Sequence, residues 1–192
     1  MIAKGILLSY ADDILVASQS IKQHKEHLKK KDSFEFLAFK LTLEGVQVSD
    51  EKAEEVRQYA RPTDIQSVQR YVGFTNFLSR FVPNYEELAV PLTDICRKGR
   101  KFEWTDKQQN AFEAIKKTIV RRITLSIFDS SKEVHIFCNA SSIAGGSIFF
   151  QTNEEGKYVP LRCHSRKWNP HQSRLYTSSE LETLILIDSL GK

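Results

Sequence analysis

The sequence predicts an α+β chain, with short strand hairpins first, helices next, and antiparallel strands with a closing helix last. Three observations carry this. Ile6-Leu7-Leu8 and Ile14-Leu15-Val16 are apolar runs of strand length around Tyr10-Ala11-Asp12-Asp13, which suits two extended segments joined by a polar turn. Between residues 49 and 120, apolar residues recur at helical spacing, twice behind a Thr-x-x-Gln pattern that suits a helix start. From Val134 onward, strand-length runs alternate with turn residues such as Asn153-Glu154-Glu155-Gly156.

The elements follow in order. After the first hairpin, Ser20-x-x-Gln23 reads as a capping box. The helix it opens carries Ile21, His24 and Leu28 on one face and Lys22, Lys25, Lys29, Lys30 and Lys31 elsewhere. Phe34 to Leu43 alternates as a strand pair. Ala53, Val56 and Ala60 form a helical stripe that stops before Arg61-Pro62, because proline disfavours helical geometry in the residue before it. Thr63-x-x-Gln66 caps the next helix, with Ile65, Val68, Val72 and Leu78 inward, and Pro83-Asn84 breaks it. A helix from Tyr85 to Cys96 ends in the basic turn Arg97-Lys98 and the stop Gly99. Thr105-x-x-Gln108 caps a helix that buries Ala111, Phe112, Ile115 and Ile119. Strands are expected at Val134 to Cys138, Ser147 to Phe150 and Tyr158 to His164, then an apolar helix from Leu181 to Leu190. No internal repeat or low-complexity segment interrupts this order.

Bulk properties narrow the function classes. With 192 residues, 41% hydrophobic and 27% charged, the chain can bury one sizeable core or two small ones. A net charge of +4 permits nucleic-acid binding without requiring it. Cys96, Cys138 and Cys163 are too widely spaced for a disulfide framework or a zinc site. His24-x-x-His27 and Cys163-His164 lack companions at metal-ligand spacing. Asn139-Ala140-Ser141 matches the glycosylation acceptor only by chance, since it falls in an expected strand and no secretion signal precedes it. The longest apolar run is too short for a membrane span. An intracellular protein, cytoplasmic or nuclear, is the expectation.

Asp in a turn is common because it hydrogen-bonds nearby backbone. Here the preceding Tyr10 adds meaning. Tyr-x-Asp-Asp between apolar strands resembles the polymerase palm motif of reverse transcriptases, and the rest of the chain extends the match to the gypsy-type LTR retrotransposon Pol polyprotein. Phe36-Leu37-Ala38-Phe39 with Glu44-Gly45-Val46, then Arg61-Pro62, Tyr71-Val72-Gly73-Phe74-Thr75-Asn76-Phe77 and Arg80-Phe81-Val82-Pro83-Asn84-Tyr85, follow in that family's order. Pro91-Leu92-Thr93, Lys101-Phe102-Glu103-Trp104-Thr105 and Ala111-Phe112 come next. Cys138-Asn139-Ala140-Ser141, Gly145-Gly146, Gln151, Ser165-Arg166 and Tyr176 to Glu182 resemble the start of an RNase H domain. The resemblance implies a palm remnant over 1–48, thumb and connection helices over 49–100, and the N-terminal half of an RNase H-like domain over 101–192. It also departs from the family: the stretch between the first helix and the Phe36-Leu37 strand is short, which should leave an unpaired edge or a frayed helix. Ala38 stands where the family usually has Gly.

The resemblance implies two Mg²⁺-dependent sites, each needing several carboxylates around two ions. For polymerase chemistry the chain offers Asp12 and Asp13, a weak and incomplete metal site, since the family's first palm aspartate and its fingers lie upstream of the pair. For RNase H chemistry the family's Asp-Ala-Ser is Asn139-Ala140-Ser141 here, which keeps the shape and loses the charge. Glu182 matches the family's helix glutamate, with Glu180 beside it, and the remaining acids would follow residue 192. The expectation is an ancestral RNA-directed DNA polymerase with RNase H, catalytically inactive as an isolated chain. The alternatives are a non-catalytic binding module for RNA–DNA hybrid or duplex, or a partner subunit that pairs with other Pol chains. The expected nucleic-acid contacts are Lys29, Lys30, Gly73, Phe74, Arg97, Lys98, Arg121 and Arg122.

Overall fold

The computed structural model describes residues 7–10, 13–16, 33–36, 38–42 and 44–191. Strands β1 (Leu7–Tyr10) and β2 (Asp13–Val16) pair antiparallel with Tyr10 opposite Asp13, the hairpin that the two apolar runs predict. Asp12 and the lysine-rich helix expected after Ser20, with Lys29 and Lys30, lie outside the described residues.

Strands β3 (Ser33–Phe36) and β4 (Phe39–Thr42) form the second expected pair. A third strand, β5 (Val46–Val48), joins them in the order β3-β4-β5. The β4–β5 turn is built by Thr42, whose Oγ1 accepts from Glu44 N–H and Gly45 N–H at 3.2 Å each. Gly45 takes φ +146°, and a Cβ there would lie 2.0 Å from the Leu125 carbonyl oxygen. That close approach lets Val46 and Leu125 exchange both backbone hydrogen bonds, at 2.8 and 2.9 Å. The strand is too short to announce itself in sequence and depends on this distant partner.

Four helices follow and share one core with Ala38 and Val48: α1 (Asp50–Gln58), α2 (Ile65–Asn76), α3 (Tyr85–Ile95) and α4 (Asp106–Val120). Three expectations need correction. Helix α1 ends at Gln58, so Ala60 lies beyond it and is exposed. The extended Arg61-Pro62 approach unwinds the chain early, and Tyr59 packs against Tyr71 in place of Ala60. Helix α2 is capped one residue later than expected, by Asp64 and Ser67 rather than Thr63 and Gln66, because the Asp64 carboxylate reaches the Ser67 N–H, at 2.7 Å. It also ends at Asn76, well before Pro83. Thr75 Oγ1 bonds back to the Tyr71 carbonyl at 3.0 Å, a pattern that bends helices. A 3₁₀ turn over Ser79–Phe81 follows, and Leu78, Phe81 and Val82 are buried around it. Helix α4 behaves as expected: Thr105 and Gln108 form its capping box, and Ala111, Phe112, Ile115 and Ile119 are buried.

One core runs from Ala38 and Val48 through these helices to Leu125. Each fully buried large side chain contributes about 1.5–3 kcal/mol by leaving water. The core tyrosines keep their hydroxyls bonded. Tyr71 donates to the Phe112 carbonyl at 3.1 Å, and Tyr85 lies 2.9 Å from Thr75 Oγ1 and donates to the Val72 carbonyl at 3.1 Å. Burial pushes both phenols up, Tyr85 to about 12.

The last part is a meander of β6 (His135–Ala140), β7 (Ala144–Thr152) and β8 (Tyr158–Lys167), in the order β6-β7-β8. Helices α5 (Pro170–Leu175) and α6 (Ser178–Leu190) follow. Side chains alternate across a strand. Cys138 and Ala140 therefore share the face where Trp168, Leu181 and Ile185 of the α6 side pack. The opposite face meets α3, where Ser165 Oγ accepts from Glu86 N–H at 3.1 Å. Gly146 lies close under Asn84 there: a Cβ would fall 2.0 Å from Asn84 Oδ1, so the Asn84 side chain would have to turn away. Gln151, buried in β7, fastens the preceding connector: its Nε2 donates to the carbonyls of Asp129 and Lys132, and its Oε1 accepts from Asp129 N–H. Among the described residues, β6 pairs along one edge only, and no helix is long and apolar enough to cross a membrane.

Candidate functional site

Asn139 sits near the end of β6, opposite Gly146 on β7. It is exposed, and strand alternation turns it to the face away from Cys138 and Ala140, hence away from α6. Glu182 lies in the N-terminal part of α6, exposed. Its neighbour Glu180 is committed to the helix start. The Glu180 carboxylate accepts from Thr177 N–H at 2.7 Å and from Thr177 Oγ1 at 2.8 Å. Those bonds hold it below the usual carboxylate range. No such tie holds Glu182 among the described residues. It stands near enough to Cys138 that its charge, after burial, helps push that thiol up. So the fold brings Glu182 to the strand that carries Asn139, with the two on either side of it. Asp13 opens β2.

A single carboxylate on one side of the strand and a neutral amide on the other are a poor match for two Mg²⁺ ions, which need several anionic oxygens between them. Among the described residues, no three His, Cys, Asp or Glu side chains converge as a ligand set.

The expected nucleic-acid contacts are differently placed. Gly73 lies on the open surface of α2, with nothing within 4 Å of a Cβ built on it. Phe74 is half-buried, stacked on Tyr59 at 5.6 Å with the Lys52 ammonium 5.1 Å from its ring. Arg97 pairs with Asp94 at 2.9 Å. Arg122, at φ +52°, pairs with Asp50. Lys98 and Arg121 are exposed and have no carboxylate partner among the described residues.

One cluster carries no motif in the sequence. Asp188 of α6 takes His164 Nε2 at 2.8 Å and Arg166 at 2.6 Å, both from β8. Burial works to raise the Asp188 carboxyl, but the His164 hydrogen bond and the Arg166 charge outweigh it and leave it below the usual range. Glu86 lines the same cavity, and burial pushes it up against the pull of Lys167 and His164. Ser165 is adjacent in sequence but faces α3, so it does not complete a serine–histidine–aspartate array. Nothing in the local sequence links Asp188 to His164, which lies 24 residues earlier.

Comparison with known proteins follows the same outline. Residues 104–192 match the RNase H-like domain found in reverse transcriptase. The chain is 28% identical over 204 residues to the Transposon Tf2-3 polyprotein of Schizosaccharomyces pombe, and 27% identical to the Tf2-7 polyprotein of the same organism. These alignments cover 96% of the chain but only 15% of each polyprotein. Among solved structures it resembles the foamy viral protease-reverse transcriptase in complex with RNA/DNA hybrid, with TM-score 0.74 and 21% identity over 96% of this chain and 28% of that one. The foamy viral protease-reverse transcriptase dRH in complex with double-stranded DNA gives TM-score 0.75 and 20% identity, over 96% of this chain and 36% of that one. Those structures establish a shared fold.

Proposed function

We propose that this chain, similar along nearly its whole length to retrotransposon polyproteins, is a segment of a retroelement Pol polyprotein that holds RNA–DNA hybrid without cleaving it. On this reading β1 and β2 correspond to a polymerase palm hairpin, residues 49–100 to thumb and connection helices, and residues 101–192 to an RNase H-like unit. The observation that carries the non-catalytic half is Asn139. It occupies the strand position where the resemblance calls for the first RNase H aspartate, and Glu182 is left as one carboxylate on the neighbouring helix. An amide oxygen cannot supply the negative charge that bridges two dications.

Binding is supported by the net charge of +4 and by the likeness to reverse transcriptases solved in complex with hybrid and duplex. Mg²⁺ belongs to the ancestral chemistry of both resemblances, and the pair of Asn139 and Glu182 does not fit it. The test is fluorescence anisotropy of a labelled RNA–DNA hybrid at two salt concentrations. Binding that weakens steeply with salt is expected, because phosphate contacts release counterions. A folded chain that leaves the hybrid free at low salt overturns the binding role.

A further inference from the structure

One end of the helical half concentrates positive charge in a way the separate sequence motifs conceal. The C-terminus of α3, the α3–α4 loop and the α1–α2 connection converge there. Cys96 Sγ lies 4.0 Å from the Ile65 carbonyl, which ties the end of α3 to the start of α2. Arg61, from the α1–α2 connection, lies 5.4 Å from the Trp104 ring, which precedes α4. Around this joint stand Arg61, Lys98, Arg100, Lys101 and Lys107, all exposed and without a carboxylate partner among the described residues. Their acidic neighbours are fewer. Asp94 is taken by Arg97 and Lys167, and Asp64 caps α2. Glu103 and Asp106 remain.

Of the other basic side chains named as contacts, Arg97 and Arg122 are already ion-paired, and Arg121 stands alone at the end of α4. Trp104 is not free to stack on a base. Its Nε1 donates to Gln109 at 2.9 Å, and its ring packs against Phe102, Phe112 and Arg61. A patch with unpaired cations and no available aromatic face suits phosphates rather than bases. The geometry points to this end of the molecule, centred on Lys98, Arg100 and Lys101, as the surface that grips the phosphate backbone of the RNA–DNA hybrid. This deepens the proposed binding role and rests on it.

The experiment compares the whole chain with the triple variant Lys98→Glu, Arg100→Glu, Lys101→Glu. A control triple, Lys132→Glu, Lys157→Glu, Arg174→Glu, makes the same charge change across the strand-bearing half of the chain. Both are titrated with labelled hybrid over a range of salt, and circular dichroism checks that each stays folded. Each lost phosphate contact weakens binding about fivefold near physiological salt, so the loop triple should lose about 100-fold and flatten the salt slope by nearly three. The control should lose much less. Equal losses in both triples, or no loss in the first, overturn the assignment while leaving the binding role intact. Failure of the unmodified chain to bind overturns the binding role and the assignment with it. A milder triple, with Gln at the same three loop positions, should lose binding in the same direction if the contacts are real, and unchanged binding there also overturns the assignment.

Discussion

Substituting Gly45 by Ala should cost this fold more than any other one-atom addition on the β4–β5 turn. A Cβ at residue 45 would stand 2.0 Å from Leu125 O, 2.8 Å from Leu125 C and 2.9 Å from Ser126 Cα. All three are backbone atoms, so no side-chain rotation relieves the clash. The chain must separate β5 from Leu125, losing two hydrogen bonds worth about 1 kcal/mol each. Leu125, now fully buried, gives up about 1–2 kcal/mol as it shifts. An L residue held at φ +146° adds about 1 kcal/mol or more. The sum is about 4 kcal/mol, a large part of the roughly 5–15 kcal/mol that holds a domain folded. In urea, with a slope of about 2 kcal/mol/M, the midpoint should fall by about 2 M. Gly99→Ala is the control, because Gly99 has φ +85° but nothing within 4 Å of its Cβ. It carries the backbone strain without the collision and should cost only about 1 kcal/mol. Equal midpoints for the two variants would refute the reasoning.

Two other predictions concern charge. Tyr71 and Tyr85 are neutral in the fold with raised phenol pKa values, Tyr85 about 12 against an ordinary value of 10.0. Their stabilisation is therefore complete below about pH 10, where the unfolded phenols begin to ionise, and is lost as pH rises towards about 12. The melting temperature should fall steeply across that window, and a Tyr71→Phe, Tyr85→Phe variant should show a shallower fall; parallel curves would contradict it. Asp188→Asn removes the anion that holds His164 and Arg166, and should destabilise by about 2 kcal/mol at neutral pH. Because the Asp188 pKa is lowered in the fold, the wild-type advantage should persist above the usual aspartate value of 3.8 and vanish as pH falls below it. Urea midpoints for the two proteins that stay apart in acid would contradict that.

How much of the fold is legible in the sequence depends on whether the signal is local. The α4 stripe of Ala111, Phe112, Ile115 and Ile119, and its Thr105–Gln108 box, are local and read directly. The hairpin loop at Asn153 to Gly156 is also local, with Gly156 at φ +75° as a turn requires. Strand β5 is invisible there because three residues carry no periodicity, and its partner Leu125 is far away in sequence. The end of α2 is hidden for a related reason. The Thr75 back-bond and the Tyr85–Thr75 contact depend on tertiary packing, while Pro83 is the breaker the sequence displays. At the candidate site, motif order marks Asn139 and Glu182, and the fold sets them on adjoining elements. The Arg61–Trp104 joint is not legible, since its parts come from separate connections that meet only in three dimensions.

The central claim is that the chain holds hybrid without cutting it. The most direct measurement is a cleavage assay on a labelled RNA–DNA hybrid with Mg²⁺ present, at protein concentrations that saturate binding. The account predicts a bound hybrid whose RNA strand stays intact. Cleavage of the RNA that disappears in a Glu182→Gln variant would contradict it, because a working site would then exist around a residue set that includes the neutral Asn139.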